Sequence, residues 1–352
     1  MTDTPDVVDW GVAVRVGRSI AGNGPATTPS YRAEVRRDFA ELTTLSDGLV
    51  REFTGLNPTE RAPDPIVLDR AGWMRANAEA FQHLLGPLSE KVANTVTLGG
   101  AARRMTGAAL GVQMGILLGY LSKKVLGQYD LVLATEGAGK VYFVGPNIVE
   151  AERRMNLAPR DFRLWITLHE ITHRTQFAGV PWLRDRVQTL VARSLAGLDL
   201  DPARVKAIVA RGRELLLRGP SAWKTANVMD LLLSDEQRGL LGEMQALMCV
   251  VEGHGTFVMN RIGRREIPGF AEMRHAVDAR KSSTRGAERA FQRAIGMDMK
   301  IEQYALGERF LEAVAEQAGL GAVNDVWGNG GENMPTLAEM ADPASWLARV
   351  RP

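Results

Sequence analysis

Pro159-Arg160-Asp161-Phe162-Arg163-Leu164-Trp165-Ile166-Thr167-Leu168-His169-Glu170-Ile171-Thr172-His173-Arg174-Thr175-Gln176-Phe177-Ala178-Gly179 reads as one helix from end to end. Proline suits a first helical position, because the N–H it lacks would have no intrahelical partner there. Leu164, Leu168, Ile171 and Thr175 recur at helical spacing, and Gly179 with Pro181 just beyond it closes the segment. His169 and His173 stand four positions apart, so on a helix they leave one face about one turn apart and can reach a single metal ion. Glu170 falls beside such an ion rather than on it, where it can take a proton from a water held there. These residue types at this spacing point to zinc-assisted hydrolysis.

A catalytic zinc needs a third protein ligand and one open position. The stretch Leu247-Met248-Cys249-Val250-Val251-Glu252-Gly253-His254-Gly255-Thr256-Phe257-Val258-Met259 is apolar apart from one carboxylate and one imidazole. An ionised glutamate on such a helix is costly unless a cation neutralises it, and zinc would do so. Cys249 precedes Glu252 by three residues and shares its face as a softer candidate ligand. His254 lies two positions on, so on a continuous helix it points roughly away from Glu252.

Outward from these segments the patterning is mostly helical. Helices are expected over about Tyr31–Phe53, Arg70–Leu85, Val187–Leu195, Pro202–Leu217, Asp235–Val251, Gly286–Ala294 and Lys300–Gln317. A Pro-rich connection runs from Asn57-Pro58 to Asp64-Pro65. The β-prone runs Leu131–Ala134 and Val141–Val144 flank Glu136-Gly137-Ala138-Gly139 and read as a hairpin, whose 141–144 strand could offer an edge to an extended peptide. The Gly/Asn/Pro-rich stretch from Gly319 is expected to wrap the surface.

Met105 to Ser122 carries no charge, is flanked by Arg103-Arg104 and Lys123-Lys124, and places glycines at 107, 111, 115 and 119. Thr106, Gln113 and the glycines weaken its hydrophobicity, and its length barely reaches that of a spanning helix. It is read as a buried helix packed tightly on a neighbour rather than a membrane segment.

The chain has 352 residues, 45% hydrophobic and 24% charged, which is globular composition and not that of a disordered protein. Forty-three Lys+Arg against forty-one Asp+Glu leave a formal charge of +2 and give no electrostatic warrant for nucleic-acid binding. The single cysteine cannot form an intrachain disulfide. The start, Met1-Thr2-Asp3-Thr4-Pro5-Asp6, lacks the basic and apolar regions of a signal peptide, so a cytoplasmic location is expected. No linker divides the chain. The expectation is one domain over 1–352, with a helical part at 1–125 and a metal-binding catalytic part at 126–352.

His169-Glu170-Ile171-Thr172-His173 followed far downstream by Val251-Glu252-Gly253-His254-Gly255 resembles the zincin-like metallopeptidases of the gluzincin type. More narrowly, the chain resembles an actinobacterial family of zincin-like hydrolases, some of them associated with deazaflavin-coenzyme biosynthesis. Val8-Asp9-Trp10, Gly22 to Pro25, Phe53-Thr54-Gly55-Leu56 and the segment from Trp327 to Trp346-Leu347 carry that closer likeness. The resemblance implies an α+β, predominantly helical, zincin-like fold with a small sheet and an active-site helix bearing the HExxH motif. It further implies Zn2+ as cofactor, His169, His173 and Glu252 as ligands, Glu170 as catalytic base, and a peptide or protein as substrate. Seventy-nine positions separate His173 from Glu252, so a helical insertion must lie between them. His254 and Tyr304 are the candidates for stabilising an oxyanion. Two functions are therefore in view: a zinc-dependent peptidase, and a zinc-stabilised binding or scaffold protein.

Overall fold

The structure, a computed structural model, describes residues 6–95, 100–130, 139–197, 234–282 and 297–352. In chain order its elements are α1 (Trp10–Ala21), α2 (Pro29–Thr54), β1 (Ile66–Leu68), α3 (Arg70–Thr95), α4 (Gly100–Leu121), β2 (Gly127–Asp130), β3 (Lys140–Val144), α5 (Gly145–Met155), α6 (Pro159–Gly179), α7 (Leu183–Ala196), α8 (Asp235–Glu266), α9 (Phe270–Ser282) and α10 (Met297–Ala318). Short helical turns complete the chain, among them α11 (Leu320–Val323), α12 (Leu337–Ala341) and α13 (Pro343–Val350). The fold is α+β and predominantly helical, around one three-stranded sheet of order β1-β3-β2.

Helix α6 has the bounds that its proline and glycine predict. It is buried nearly all round, from Phe162 to Phe177, because α2, α8 and β2 all pack on it. Its two central arginines, Arg163 and Arg174, are buried with partners. The Arg163 side chain lies 2.7 Å from Glu152 and 2.6 Å from Asp38, and Arg174 lies 3.2 Å from Asp47. Such pairs cost desolvation but fix α6 in register against α2 and α5.

Helix α8 begins with a capping box in which Ser234 and Gln237 satisfy each other's backbone N–H groups. It continues past Val251, where the sequence pattern fades, through Gly253 and Gly255 to Glu266. The glycines do not break it. Gly253 lets another helix in: a Cβ there would lie 2.6 Å from the Glu308 backbone nitrogen, and one at Gly307 of α10 would run into the Cys249 carbonyl oxygen, so α8 and α10 cross at backbone contact.

Several expectations are corrected. The strand that pairs with Lys140–Val144 is Gly127–Asp130, in the register Gly127↔Phe143 to Asp130↔Lys140. Residues 131–138, including the expected strand 131–134, lie outside the described residues, as do 202–217 and 286–294. Val141–Val144 is not an edge, because β1 pairs in parallel on its other side, Ile66↔Tyr142 to Leu68↔Val144. That short strand directly follows the Pro-rich connection. Helix α1, unassigned from sequence, seats on α4. The C-terminal stretch enters the core: Trp346 is fully buried and Trp327 nearly so, as large aromatic surfaces favour.

The glycine-ridged segment is helix α4, packed on α1. Cβ atoms at Gly111, Gly115 and Gly119 would lie 2.5, 2.6 and 2.7 Å from the carbonyl oxygens of Asp9, Ala13 and Gly17. Among the described residues no helix is long and apolar enough to cross a membrane.

Candidate metal centre

Helices α6 and α8 cross where their polar residues meet. His169 Nε2 lies 3.1 Å from His173 Nε2, and Glu252 Oε2 lies 3.6 and 3.5 Å from those two atoms. Two ring nitrogens and a carboxylate oxygen thus form a near-equilateral triangle, the carboxylate coming from a residue seventy-nine or more positions from either histidine in the chain. Ligand atoms about 2.0–2.1 Å from a tetrahedral zinc would stand about 3.3 Å apart, so this donor set fits zinc without rearrangement. Nitrogen and carboxylate donors with no thiolate are also the set of catalytic rather than purely structural zinc sites.

The surroundings are shaped to keep this triangle clear. A Cβ at Gly255 would meet His169 Cε1 at 3.0 Å and His173 Cε1 at 3.1 Å. Gly255 therefore lets α8 rest against both imidazoles. His173 Nδ1 is hydrogen-bonded to Gln176 Oε1 at 2.9 Å, and Gln176 Nε2 contacts the Val251 carbonyl and His254 Nδ1, each at 2.9 Å. His169 Nδ1, by contrast, is buried without a hydrogen-bond partner among the described residues.

Glu170 sits on the sheet side of α6 and is 6% exposed. Val144 N–H donates to the Leu126 carbonyl, and the antiparallel register makes Gln128–Tyr142 the next bonded pair. Gly127 and Tyr129 therefore turn their backbone groups outward, toward α6. The Tyr129 N–H donates to the Glu170 carboxylate, and Gly127 leaves room for it. Burial pushes the Glu170 carboxyl up, against the pull of the two histidines. A base raised toward neutrality is better matched to proton transfer at physiological pH.

The other titrating groups follow from charge and burial. Burial disfavours the His173 cation, but Glu252 outweighs it and lifts His173 to about 9. Burial likewise opposes the Glu252 anion, and the two histidines hold it well below the carboxylate range. His254 is pushed down to about 3, first by burial and then by His173.

The residues expected from sequence are thus sorted by position. His169, His173 and Glu252 come together, with Glu170 beside them. Cys249 is fully buried in the core, and burial raises its thiol to about 11, so it stays neutral and outside the triangle. His254 points away behind His173, 1% exposed, its ring edge-on to Trp327 at 5.2 Å. It does not face the open side. Tyr304 belongs to α10, at a position whose side chain lies outside those described. Gln176, Gly127 and Gly255 were not singled out from sequence. The first was detectable, standing three residues after His173 on the same helical face. The glycines were not, since their importance lies in what approaches them.

The chain belongs to the zincin-like metallopeptidase family, whose model matches residues 8–347. A crystal structure from Chloroflexus aurantiacus, described as "a putative hydrolase with a novel fold", shares 32% identity with it, covering 97% of this chain and 98% of the other at a TM-score of 0.71. A search of curated proteins gives no match.

Proposed function

We propose that the protein is a zinc-dependent hydrolase of peptide bonds, with His169, His173 and Glu252 holding the metal and Glu170 as general base. The observation that carries this reading is the triangle of three donor atoms with a buried carboxylate one residue from the first of them. Zinc, when bound, supplies a Lewis acid that polarises a carbonyl and lowers the pKa of water. Glu170, with its carboxylate oriented by the Tyr129 N–H, takes the proton of the attacking water. It then delivers that proton to the departing amine nitrogen. With the Tyr129 N–H taken by Glu170, the outward backbone groups of Gly127 leave an edge of β2 beside the base at which an extended peptide would pair. Among the described residues β2, not β3, offers that edge.

The test separates the two carboxylates. Glu170→Gln should keep zinc and lose hydrolysis by a factor of about 10² to 10⁴. Glu252→Ala should lose zinc affinity itself. Cys249→Ser should leave zinc content unchanged. If zinc behaves as expected while wild type and Glu170→Gln are alike against a broad peptide library, the zinc-stabilised scaffold takes the place of the peptidase.

A further inference from the structure

We infer that Gln176 is a positioning residue for metal binding, whose amide oxygen orients the His173 ring while its NH₂ ties α8 to α6 at Val251 and stabilises the fold. The inference rests on the zinc reading above and deepens it.

The oxygen and nitrogen of an amide have nearly the same shape, but its partners here decide the orientation. Val251 presents a backbone carbonyl, which only accepts, so the Gln176 atom 2.9 Å from it must be the NH₂ nitrogen. The other end, 2.9 Å from His173 Nδ1, is then the carbonyl oxygen, which also only accepts. His173 Nδ1 must therefore carry a hydrogen, and this leaves the lone pair of its neutral ring on Nε2, the atom facing His169 and Glu252. The second amide hydrogen goes to His254 Nδ1 at 2.9 Å, so His254 carries its own hydrogen on Nε2. One side chain thus makes three bonds, and each has one permitted direction.

Two consequences follow from where those bonds go. The bond to His173 holds a ligand ring in both tautomer and rotation, which outer hydrogen bonds commonly do for metal-binding histidines. The bond to Val251 holds the residue immediately before Glu252. Gln176, Val251 and His254 are each 0–1% exposed, so water does not replace these bonds if they are lost. His254 is given a role as well: it is the buried acceptor that keeps the amide from turning over.

The experiment compares Gln176→Leu with Gln176→Glu in the full chain. It measures zinc affinity by chelator competition, the visible spectrum of the cobalt-substituted protein, and thermal stability of the metal-free form. Both variants remove the donors to Val251 and His254, so both should lower the stability of the metal-free protein by similar amounts. Only Gln176→Glu keeps an acceptor for His173. Zinc affinity should fall about 10–100-fold in Gln176→Leu, the usual range for a lost outer-shell bond, and stay within about threefold of wild type in Gln176→Glu. The cobalt spectrum should change in the first variant and not in the second.

Equal loss in both variants would show a merely structural residue and overturn the inference, as would unchanged affinity in both. Should Gln176→Leu fail to fold, Gln176→Met, an unbranched isostere without an acceptor oxygen, takes its place in the same comparison. A wild-type protein that takes up no zinc overturns the zinc reading instead, and that outcome is seen before any variant is measured.

Discussion

Gly127 lies against Glu170 so closely that a methyl group in place of its hydrogen would stand 2.6 Å from Glu170 Cγ and 2.7 Å from Oε1. The strand edge and the proposed base are therefore fitted to one another, with no room for a side chain between them.

Gly127→Ala should displace the Glu170 carboxylate without touching the histidines. Misplacing a reacting group by about 1 Å can cost about 10²-fold in rate. Peptide cleavage should fall by that order while zinc stoichiometry stays at that of wild type. Unchanged turnover with normal zinc would show that the carboxylate does no proton transfer from this position.

Gly255 makes the complementary case on the other helix. Its Cβ would press on both imidazoles at 3.0 and 3.1 Å, so Gly255→Ala should spread the triangle. Zinc affinity, read by chelator competition, should fall by more than about tenfold, in the range seen when ligand orientation is disturbed. An affinity within twofold of wild type would mean that the rings move aside at little cost.

These two glycines also show why the site was only partly legible in the sequence. His169, Glu170 and His173 were readable because one helix carries them, and helical spacing alone sets their relative directions. The cost of a carboxylate in an apolar stretch singles out Glu252, but which of Cys249, Glu252 and His254 faces the two histidines depends on how α8 rotates against α6. That rotation is set by contacts no local pattern records: Gly255 on the histidines and Gly307 on Cys249. The strand β1 was missed for a related reason. Three residues, Ile66–Leu68, become a strand only because β3 lies alongside. The Gly, Asn and Pro content of the stretch from Gly319 points to the surface, whereas the aromatic area of Trp327 and Trp346 decides where it packs.

The metal-free protein should lose stability as pH rises above about 6.5, and Glu170, raised from 4.5, adds to that decline because its contribution is lost as pH rises through its folded value. His173 is raised from 6.5 to about 9, so its contribution is complete below 6.5 and is lost as pH rises through about 9. His254 is lowered from 6.5 to about 3, so its contribution is complete above 6.5 and shrinks as pH falls. Glu252 is lowered from 4.5, and its contribution drains away further as pH falls below that value. Zinc competes with the proton on His173, so its affinity should rise with pH up to about 9, and loading should remove the decline on the alkaline side. Calorimetric melts from pH 4 to 10, with chelator and with zinc, check this. A metal-free melting temperature that climbs between pH 7 and 9 would contradict it.

The last prediction concerns the seam between α1 and α4, which the site does not touch. At Gly115 a Cβ would stand 2.6 Å from the Ala13 carbonyl oxygen and 2.8 Å from Val16 Cβ. Both obstacles are fixed, one of them backbone, so Gly115→Val cannot be relieved by a rotamer change and the helices must part. Overpacking of this kind costs about 1–3 kcal/mol, or a few degrees of melting temperature for a chain of this size, at about 2–4 °C per kcal/mol. Val112 lies on the same helix but is 40% exposed, so Val112→Ser should leave the melting temperature within about 1 °C, as surface changes do. The packing around Trp73, Met74 and Leu118 forms its own cluster, separate from the core that holds α6 and α8. Zinc affinity of Gly115→Val, measured well below its melting temperature, should therefore match wild type. Equal melting temperatures for the two variants would refute the close-packed seam, and a loss of zinc affinity in Gly115→Val would show that the seam and the metal centre are coupled.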